Sequence, residues 1–245
     1  MDSMKRLVWL LFLVFIGSAN GKEKYLVGVE NLNYLPYYGN NDGIYQGYGR
    51  ELLDLFAEYK GCDFDYKVLP VKRLFSEFLD GKLDFKFPDH PYWSFEDKEG
   101  KNVIYSNDVV EYIDGVMVKP ENVGKGIEHL KNMGVVLGFT AWDYVKYIDN
   151  GSIKRQENSN FEGMIRQALI SRNDGAYCNV GVGRHLLKNV IKEPDGLIFD
   201  EGLPFSKSHY KFSSIKYPTI IEEFNKFLIE KKSEIDKLKE KYSLK

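Results

Sequence analysis

The sequence predicts an α/β protein of two units, each a mostly parallel sheet covered by helices. Three observations predict this fold class. Strand and helix patterns alternate over residues 24–88, and they alternate again over residues 134–191. After each stretch comes a segment rich in hydrophobic and aromatic residues without helical period, at residues 102–119 and 195–216. The two extended segments predict two crossovers that join two lobes.

The first unit follows the order strand, helix, strand, helix, strand. The predicted strands are KYLVGVEN, DFDYKVLP and LDFKF, and the two helices are RELLDLFAEYKG and KRLFSEFLDGK. Apolar residues recur in both helices at three- and four-residue spacing, which is typical of an amphipathic helix. A polar loop rich in Gly, Tyr and Asn follows the first strand and contains Asn-Asp-Gly, a typical turn sequence.

The second unit repeats this order. GVVLGF, KRQENS and DGAYCNVGVG are predicted strands, and TAWDYVKYIDNG and NFEGMIRQALISRN are predicted helices, the second of them capped by Asn160. A short helix or extended chain is predicted for GRHLLKNVI. The chain then ends in a predicted long amphipathic helix from about 218 to 242, and Pro218 suits its first turn.

The N-terminus predicts a secretory signal peptide over residues 1–21. Lys5 and Arg6 precede an uncharged run, LVWLLFLVFIG, and small residues follow it. A membrane-spanning helix needs about 20 apolar residues, so the shorter run favours a cleaved signal over an anchor. No cysteine follows the run, so a lipid anchor is not expected.

Composition and motifs exclude several classes of function. Formal net charge is −2 with both signs interspersed, which disfavours nucleic acid as a partner. The four His are scattered and no metal-ligand spacing occurs, so neither a metal nor a cofactor is predicted. Cys62 and Cys178 fall in different predicted lobes; a disulfide between them would lock the lobes together, so two buried free thiols are favoured.

Several strings, in order, carry a family resemblance: YLVGVENLNYLPYY, GIYQGYGRELLDLFAEYKG, LFSEFLDGKLDF, VVLGFTAWDYV and NFEGMIRQALISRNDGAYCN. With them the mature chain resembles the bacterial extracellular solute-binding proteins of family 3, the periplasmic amino-acid-binding type. The resemblance implies the type II periplasmic-binding-protein fold. Lobe 1 would comprise residues 22–116 and 203–245, lobe 2 would comprise residues 117–202, and a ligand would lie between them.

The resemblance also implies a function and partners. The expected function is capture of a small polar ligand, amino-acid-like or an amine, by a monomer in the periplasm. An ABC-type permease or a receptor is the expected membrane partner. The lobes would close on the ligand by a hinge motion.

The expected ligand contacts lie at the carboxyl ends of the strands and at the start of a helix in lobe 2. Aromatic side chains would stack on the ligand or hold an ammonium group, although each Tyr could equally just cover the sheet. Free backbone N–H groups at Thr140 would suit a carboxylate, although a routine cap is the alternative. The candidate residues are Tyr34, Tyr37, Tyr38, Asp89, His90, Trp93, Thr140, Ala141 and Asn179.

Two departures from the family pattern change the expected ligand contacts. The segment after the third strand lacks the family's carboxylate-binding Arg and carries Asp89 and His90 instead. Asn179 stands where the family often has an Asp for the ligand's amino group. Arg73 and Arg184 are candidates for a replacement positive charge, although a plain surface position is favoured for both.

Two other classes of function compete with solute binding. An enzyme of the same fold, dehydratase- or lyase-like, would need an acid–base pair such as Asp89 and His90, but adjacent residues rarely face each other. A ligand-sensing module is the other alternative. No nucleophile or metalloprotease motif occurs in the chain, so the sequence favours binding without catalysis.

Overall fold

The computed structural model describes residues 21–244. The predicted signal peptide therefore lies outside the described residues, except for Gly21. None of the described helices combines the length and the apolar character needed to cross a membrane.

Twelve strands occur in the described chain. In chain order they are β1 Lys24–Glu30, β2 Gly39–Asn41, β3 Ile44–Gln46, β4 Asp63–Leu69, β5 Phe85–Asp89, β6 Ile104–Tyr105, β7 Val110–Val118, β8 Asn132–Val136, β9 Lys154–Asn158, β10 Gly175–Asn179, β11 Ile198–Phe199 and β12 Ser206–Ser214.

Eight α-helices cover these strands in the same described part of the chain. They are α1 Tyr48–Lys60, α2 Val71–Leu79, α3 Phe95–Lys98, α4 Val145–Asp149, α5 Phe161–Leu169, α6 Val180–His185, α7 Pro218–Glu230 and α8 Lys232–Lys241. Short 3-10 turns lie at Pro120–Asn122, Ile127–His129 and Trp142–Tyr144, and a π-helical segment, Leu186–Ile191, continues α6.

The sheet confirms the predicted two-lobed α/β architecture. Its main path runs β4–β1–β5–β12–β7–β10–β8–β9. β1 pairs in parallel with β4 and β5, and β8 pairs in parallel with β9 and β10. The long strands β7 and β12 are antiparallel to their neighbours and pair with each other, Val110–Asp114 against Ser206–Tyr210. They are the two crossovers, and the boundaries at 116 and 203 stay a prediction.

Helix ends follow from local sequence. α1 buries Leu52, Leu53 and Phe56 along one face and ends where Gly61 adopts a left-handed conformation with φ 77°, which glycine adopts at little cost. α5 begins at Asn160, whose side-chain oxygen accepts a hydrogen bond from the Gly163 N–H at 2.8 Å. This confirms the predicted cap.

The C-terminal helix differs from the prediction of one uninterrupted element. It divides at Lys231 into α7 and α8. The turn brings α8 back onto α1, where Ile235 and Leu238 are buried and Lys241 Nζ lies 2.6 Å from Glu51 Oε2. An apolar repeat that continues through such a turn cannot reveal it from the sequence.

The core of lobe 1 is aromatic. Phe85 stacks on Phe212 with ring centroids 4.7 Å apart, and Phe56 meets Phe224 edge-on at 4.9 Å. All four are fully buried. Cys62 and Cys178 are buried free thiols, as predicted.

The lobes touch each other through aromatic side chains. Tyr34, which follows β1 in lobe 1, stacks on Phe139 at 6.4 Å and meets Phe161 edge-on at 5.4 Å. Both phenylalanines belong to lobe 2, at the end of β8 and the start of α5. The structure therefore has its lobes in contact at the cleft.

Candidate functional site

The three tyrosines after β1 are buried in a layer built around Tyr210 of β12. Tyr37 and Tyr38 approach its ring at 5.3 and 6.4 Å. The Tyr37 hydroxyl donates to the Glu111 carbonyl at 3.1 Å, and the Tyr38 hydroxyl donates to Glu30 Oε2 at 2.6 Å. Burial raises the pKa of the Glu30 carboxyl, while Lys86 and the Tyr38 bond act in the opposite direction.

Asp89 is fully buried and its oxygens already have partners. Oδ1 accepts from Lys98 Nζ at 3.0 Å, from Lys86 Nζ at 3.3 Å and from the His90 N–H at 2.8 Å. Oδ2 accepts from Ser213 Oγ at 2.6 Å. The carboxylate thus joins strand β5, helix α3 and strand β12 inside lobe 1, and it holds two buried ammonium groups.

His90 and Trp93 surround this cluster of buried charges. His90 Nε2 lies 2.9 Å from Ser208 Oγ, and burial together with Lys211 lowers the pKa of its imidazole. Trp93 packs edge-on against Tyr210 at 5.7 Å, so it belongs to the same aromatic layer as the tyrosines. The Lys86 ammonium lies 4.1 Å from the centre of the Phe75 ring and 5.4 Å from that of Trp93.

Thr140 and Ala141 precede the short turn Trp142–Tyr144 in lobe 2. Thr140 is exposed and Ala141 is buried. The Thr140 carbonyl accepts from the Trp142 N–H at 3.1 Å, and neither residue provides a side-chain cap. The predicted helix over TAWDYVKYIDNG is therefore a 3-10 turn followed by the five residues of α4.

Asn179 is buried at the end of β10, directly opposite Asp114 of β7. Its Oδ1 accepts from the Val182 N–H at 3.1 Å and so caps α6. Within the described chain, Asn179 Nδ2 and Asp114 Oδ1 are both buried without a hydrogen-bond partner. Burial raises the pKa of the Asp114 carboxyl to about 7, an effect that nearby Asn179 reduces and Asp143 increases.

A cavity of about 470 Å³ lies between the lobes beside this pair. Lobe 1, lobe 2, crossover strand β7 and the C-terminal segment all contribute to its wall. The lining residues are Pro36, Tyr37, Glu111, Ile113, Val180, Gly181, Arg184, His185, Lys188, Asn189, Lys241, Tyr242, Ser243 and Leu244. Its volume falls within the range of about 300–1,000 Å³ that is usual for small-molecule sites.

Tyr37 is the one predicted ligand residue that lines this cavity. Its ring lies so close to the Gly181 backbone that a β-carbon there would be 2.9 Å from the Tyr37 hydroxyl. Burial raises the pKa of this phenol, and Asn179 and Arg184 lower it. Tyr37 therefore lies next to both the cavity and Asn179.

Asp114, Glu111 and Lys188 are not among the residues predicted to form the site. Of the two candidates for a replacement positive charge, Arg184 lines the cavity, whereas Arg73 Nε lies 2.7 Å from Glu77 Oε1 on the surface of lobe 1. Polar residues on a predicted apolar crossover strand, such as Asp114, are the signal that was available in the sequence.

Comparison with known proteins bears on the fold. A scan against protein-family models gave no match, and a search of curated proteins gave none either. Solved structures do match over nearly the full length. An ancestral arginine-binding protein bound to arginine is 22% identical with a TM-score of 0.67, covering 90% of this chain and 98% of that one.

Two further matches are of the same kind. An ancestral amino-acid-binding protein, a precursor of cyclohexadienyl dehydratase, is 20% identical with a TM-score of 0.65, over 89% of this chain and 95% of that one. The second substrate-binding domain of a proposed amino acid ABC transporter from Streptococcus pneumoniae is 18% identical with a TM-score of 0.63, over 89% and 99%. These similarities confirm the predicted two-lobed periplasmic-binding-protein fold.

Proposed function

We propose that the protein is an exported solute-binding protein that captures a small polar organic molecule between its two lobes. The observation that carries this proposal is the cavity of about 470 Å³, whose wall is shared by both lobes and a crossover strand. A ligand at such a position contacts both lobes at once, so it stabilises the state in which they are closed.

The lobe contacts support a hinge mechanism. β7 and β12 pair over five residues each, and they are the strands that connect the lobes in sequence. Tyr34 meets Phe139 and Phe161 only while the lobes touch, because these residues lie on opposite sides of the cleft. Rotation about β7 and β12 would separate these rings and open the cavity.

The proposed ligand contacts differ from the nine predicted residues. Tyr37 is kept because it lines the cavity. Asp89 is assigned to the structure of lobe 1, because its oxygens are bound by four groups of the protein. Asp89 was the residue predicted to bind an amine, and its oxygens are not available for that role. An amino acid or an organic acid is therefore a better candidate for the ligand than an amine.

Catalysis is the second candidate. One structural neighbour is an ancestral precursor of a dehydratase, so the same fold occurs in the ancestry of an enzyme. His90 lies outside the cavity lining and its Nε2 is already engaged with Ser208, which favours binding over catalysis. Turnover of a captured ligand by the purified protein would support the enzyme instead.

The location and partner follow from the same proposal. Residues 1–21 would be removed on export, leaving a periplasmic protein, and a membrane permease of the ABC type would accept the ligand. The S. pneumoniae neighbour, a domain of a proposed ABC transporter, supports this partner. We propose a monomer with lobes at residues 22–116 with 203–245, and 117–202.

A thermal-shift screen tests the proposal. The purified chain beginning at Lys22 is melted with amino acids, organic acids, amines and short peptides, one compound at a time. A ligand at about 100 times its Kd should raise Tm by about 5–10 °C. A folded protein whose Tm no compound in the screen raises would contradict solute capture.

A further inference from the structure

Arg184 and Lys188 stand four residues apart on α6 and its π-helical continuation, and both line the inter-lobe cavity. Neither side chain forms an ion pair or a hydrogen bond with any residue of the described chain, 21–244. Both side chains are exposed at the cavity wall, and two like charges four residues apart on a helix repel each other. They gain free energy if an anion joins them.

The other charges around the cavity are already balanced by partners. Glu111 Oε2 lies 2.7 Å from Lys207 Nζ, and Lys241 Nζ lies 2.6 Å from Glu51 Oε2. His185 Nδ1 lies 3.1 Å from Asn189 Nδ2, and burial lowers the pKa of its imidazole, which disfavours the charged form. Among the lining residues that the structure describes, the charges without a partner are therefore those of Arg184 and Lys188.

The rest of the cavity wall can contact the carbon skeleton of an organic ligand. Pro36, Tyr37, Ile113 and Val180 provide apolar and aromatic surface on the side of lobe 1, the crossover and the base of α6. Arg184 is close enough to Tyr37 to lower the pKa of its phenol. A ligand in contact with both would place its charged end at α6 and its carbon skeleton against Tyr37.

We propose that the cavity binds a small organic anion, a carboxylate or a phosphate monoester, through Arg184 and Lys188, with its apolar part against Tyr37. This inference rests on the proposed function and specifies its ligand class. The cation that holds the anion would then come from lobe 2, and not from the segment after β5, where the family resemblance places an Arg.

Titration of matched probes, followed by NMR of the arginine side chains, tests the proposal. Phenylacetate and phenyl phosphate supply the two anions, and phenethylamine supplies a cation of similar size. The expected result is a saturable shift of the Arg184 Nε–H signal with at least one anion, and none with phenethylamine. The two anions distinguish a carboxylate ligand from a phosphate ligand.

Arg172 provides the internal reference, because it is exposed on lobe 2, outside the cavity lining. Equal shifts at Arg172 and Arg184, or no saturable shift with either anion, would overturn the assignment. The double variant Arg184→Gln, Lys188→Gln should bind the anion about tenfold or more weakly than the wild type, because hydrogen bonds to charged groups are lost. Arg172→Gln should leave affinity unchanged.

The result also separates this inference from the proposed function. If the thermal-shift screen finds a neutral or cationic ligand whose affinity is unaffected by Arg184→Gln and Lys188→Gln, solute capture stands and the anion site is wrong. If no compound binds and neither anion shifts Arg184, both are wrong.

Discussion

Asp89 and Asp114 both place carboxyl oxygens in the protein interior, but their surroundings differ: Asp89 is fully buried, whereas Asp114 is half-buried with a buried Oδ1. Asp89 lies inside lobe 1 with four hydrogen-bond donors around it, two of them lysine ammonium groups. Asp114 lies on a crossover strand between the lobes, and its Oδ1 has no partner within residues 21–244. A paired buried charge fixes structure, whereas an unpaired one marks a place where protonation or movement matters.

The difference between the two carboxyl groups indicates which part of the molecule can respond to protonation or movement. Asp89 links β5 to α3 through Lys98 and to β12 through Ser213. Asp114 and Asn179 lie opposite each other where β7 pairs with β10, and Asn179 is close to Tyr37.

Asp89→Ala should have the largest effect. Removing the carboxylate leaves two buried lysines without their anion, which costs about 3–5 kcal/mol in the free energy of unfolding. Urea denaturation measures the loss. Asp65→Ala is the control: Asp65 is an exposed aspartate on the edge strand β4, and its loss should change stability by less than about 0.5 kcal/mol.

A stable Asp89→Ala variant with weakened ligand binding would reverse this assignment. It would return Asp89 to the cleft as a ligand contact, as the sequence analysis expected.

Asp114→Asn should have an intermediate and pH-dependent effect. The carboxyl pKa is raised to about 7 in the folded protein, against about 3.9 in an unfolded chain. The folded state therefore binds the extra proton between these values, and wild-type stability falls as pH rises from about 4 to 7.

The asparagine variant lacks this ionisation. The full pKa difference corresponds to about 4 kcal/mol, and because Asp114 is half-buried we expect roughly half of it. The variant should therefore be more stable than the wild type by about 2 kcal/mol at pH 8, and by less than about 1 kcal/mol at pH 4.5. Urea denaturation of both proteins at the two pH values checks this, because other groups such as Glu30 contribute equally to both. If the difference in stability between the variant and the wild type does not change with pH, the folded state does not raise the pKa of Asp114, and this part of the account is wrong.

Asn179→Ala should have the smallest effect on stability, about 1 kcal/mol from the loss of the α6 cap. It should also raise the pKa of Asp114 further, because Asn179 lowers it. Carbon-13 NMR of the Asp114 carboxyl measures the midpoint.

Asn160→Ala is the matched variant, since Asn160 caps α5 through the Gly163 N–H. It should cost a similar amount of stability and leave the Asp114 midpoint where it is. Equal midpoints in both variants would mean that Asn179 acts on its helix alone.

The sequence predicted the fold well because local signals agree with the global arrangement. Alternating strand and helix patterns, Asn160 as a cap and two non-helical crossover segments all reappear in the structure. The division of the last helix at Lys231 was missed, because no glycine or proline marks it.

The site was predicted less well, for a physical reason. Asp89 follows a predicted strand end, as a ligand residue would, but only the folded chain brings Lys98 and Ser213 to its oxygens. The sequence alone makes Arg73 and Arg184 equally good candidates for a ligand-binding cation. In the structure, Arg73 pairs with Glu77 one helical turn away, whereas Arg184 lines the cavity. Side-chain directions decide which charged residues find a partner, and these directions cannot be read from the spacing of residues in the sequence.

The central claim is that a solute binds in the cavity between the lobes, and filling that cavity tests it most directly. Asn189→Trp adds an indole at an exposed lining position, and Lys154→Trp adds one on the exposed edge strand β9, outside the lining. Calorimetric titration of the strongest ligand from the thermal-shift screen compares the two variants with the wild type. We expect Asn189→Trp to lose at least about tenfold in affinity while Lys154→Trp binds as the wild type does; unchanged binding by a folded Asn189→Trp variant would contradict the account.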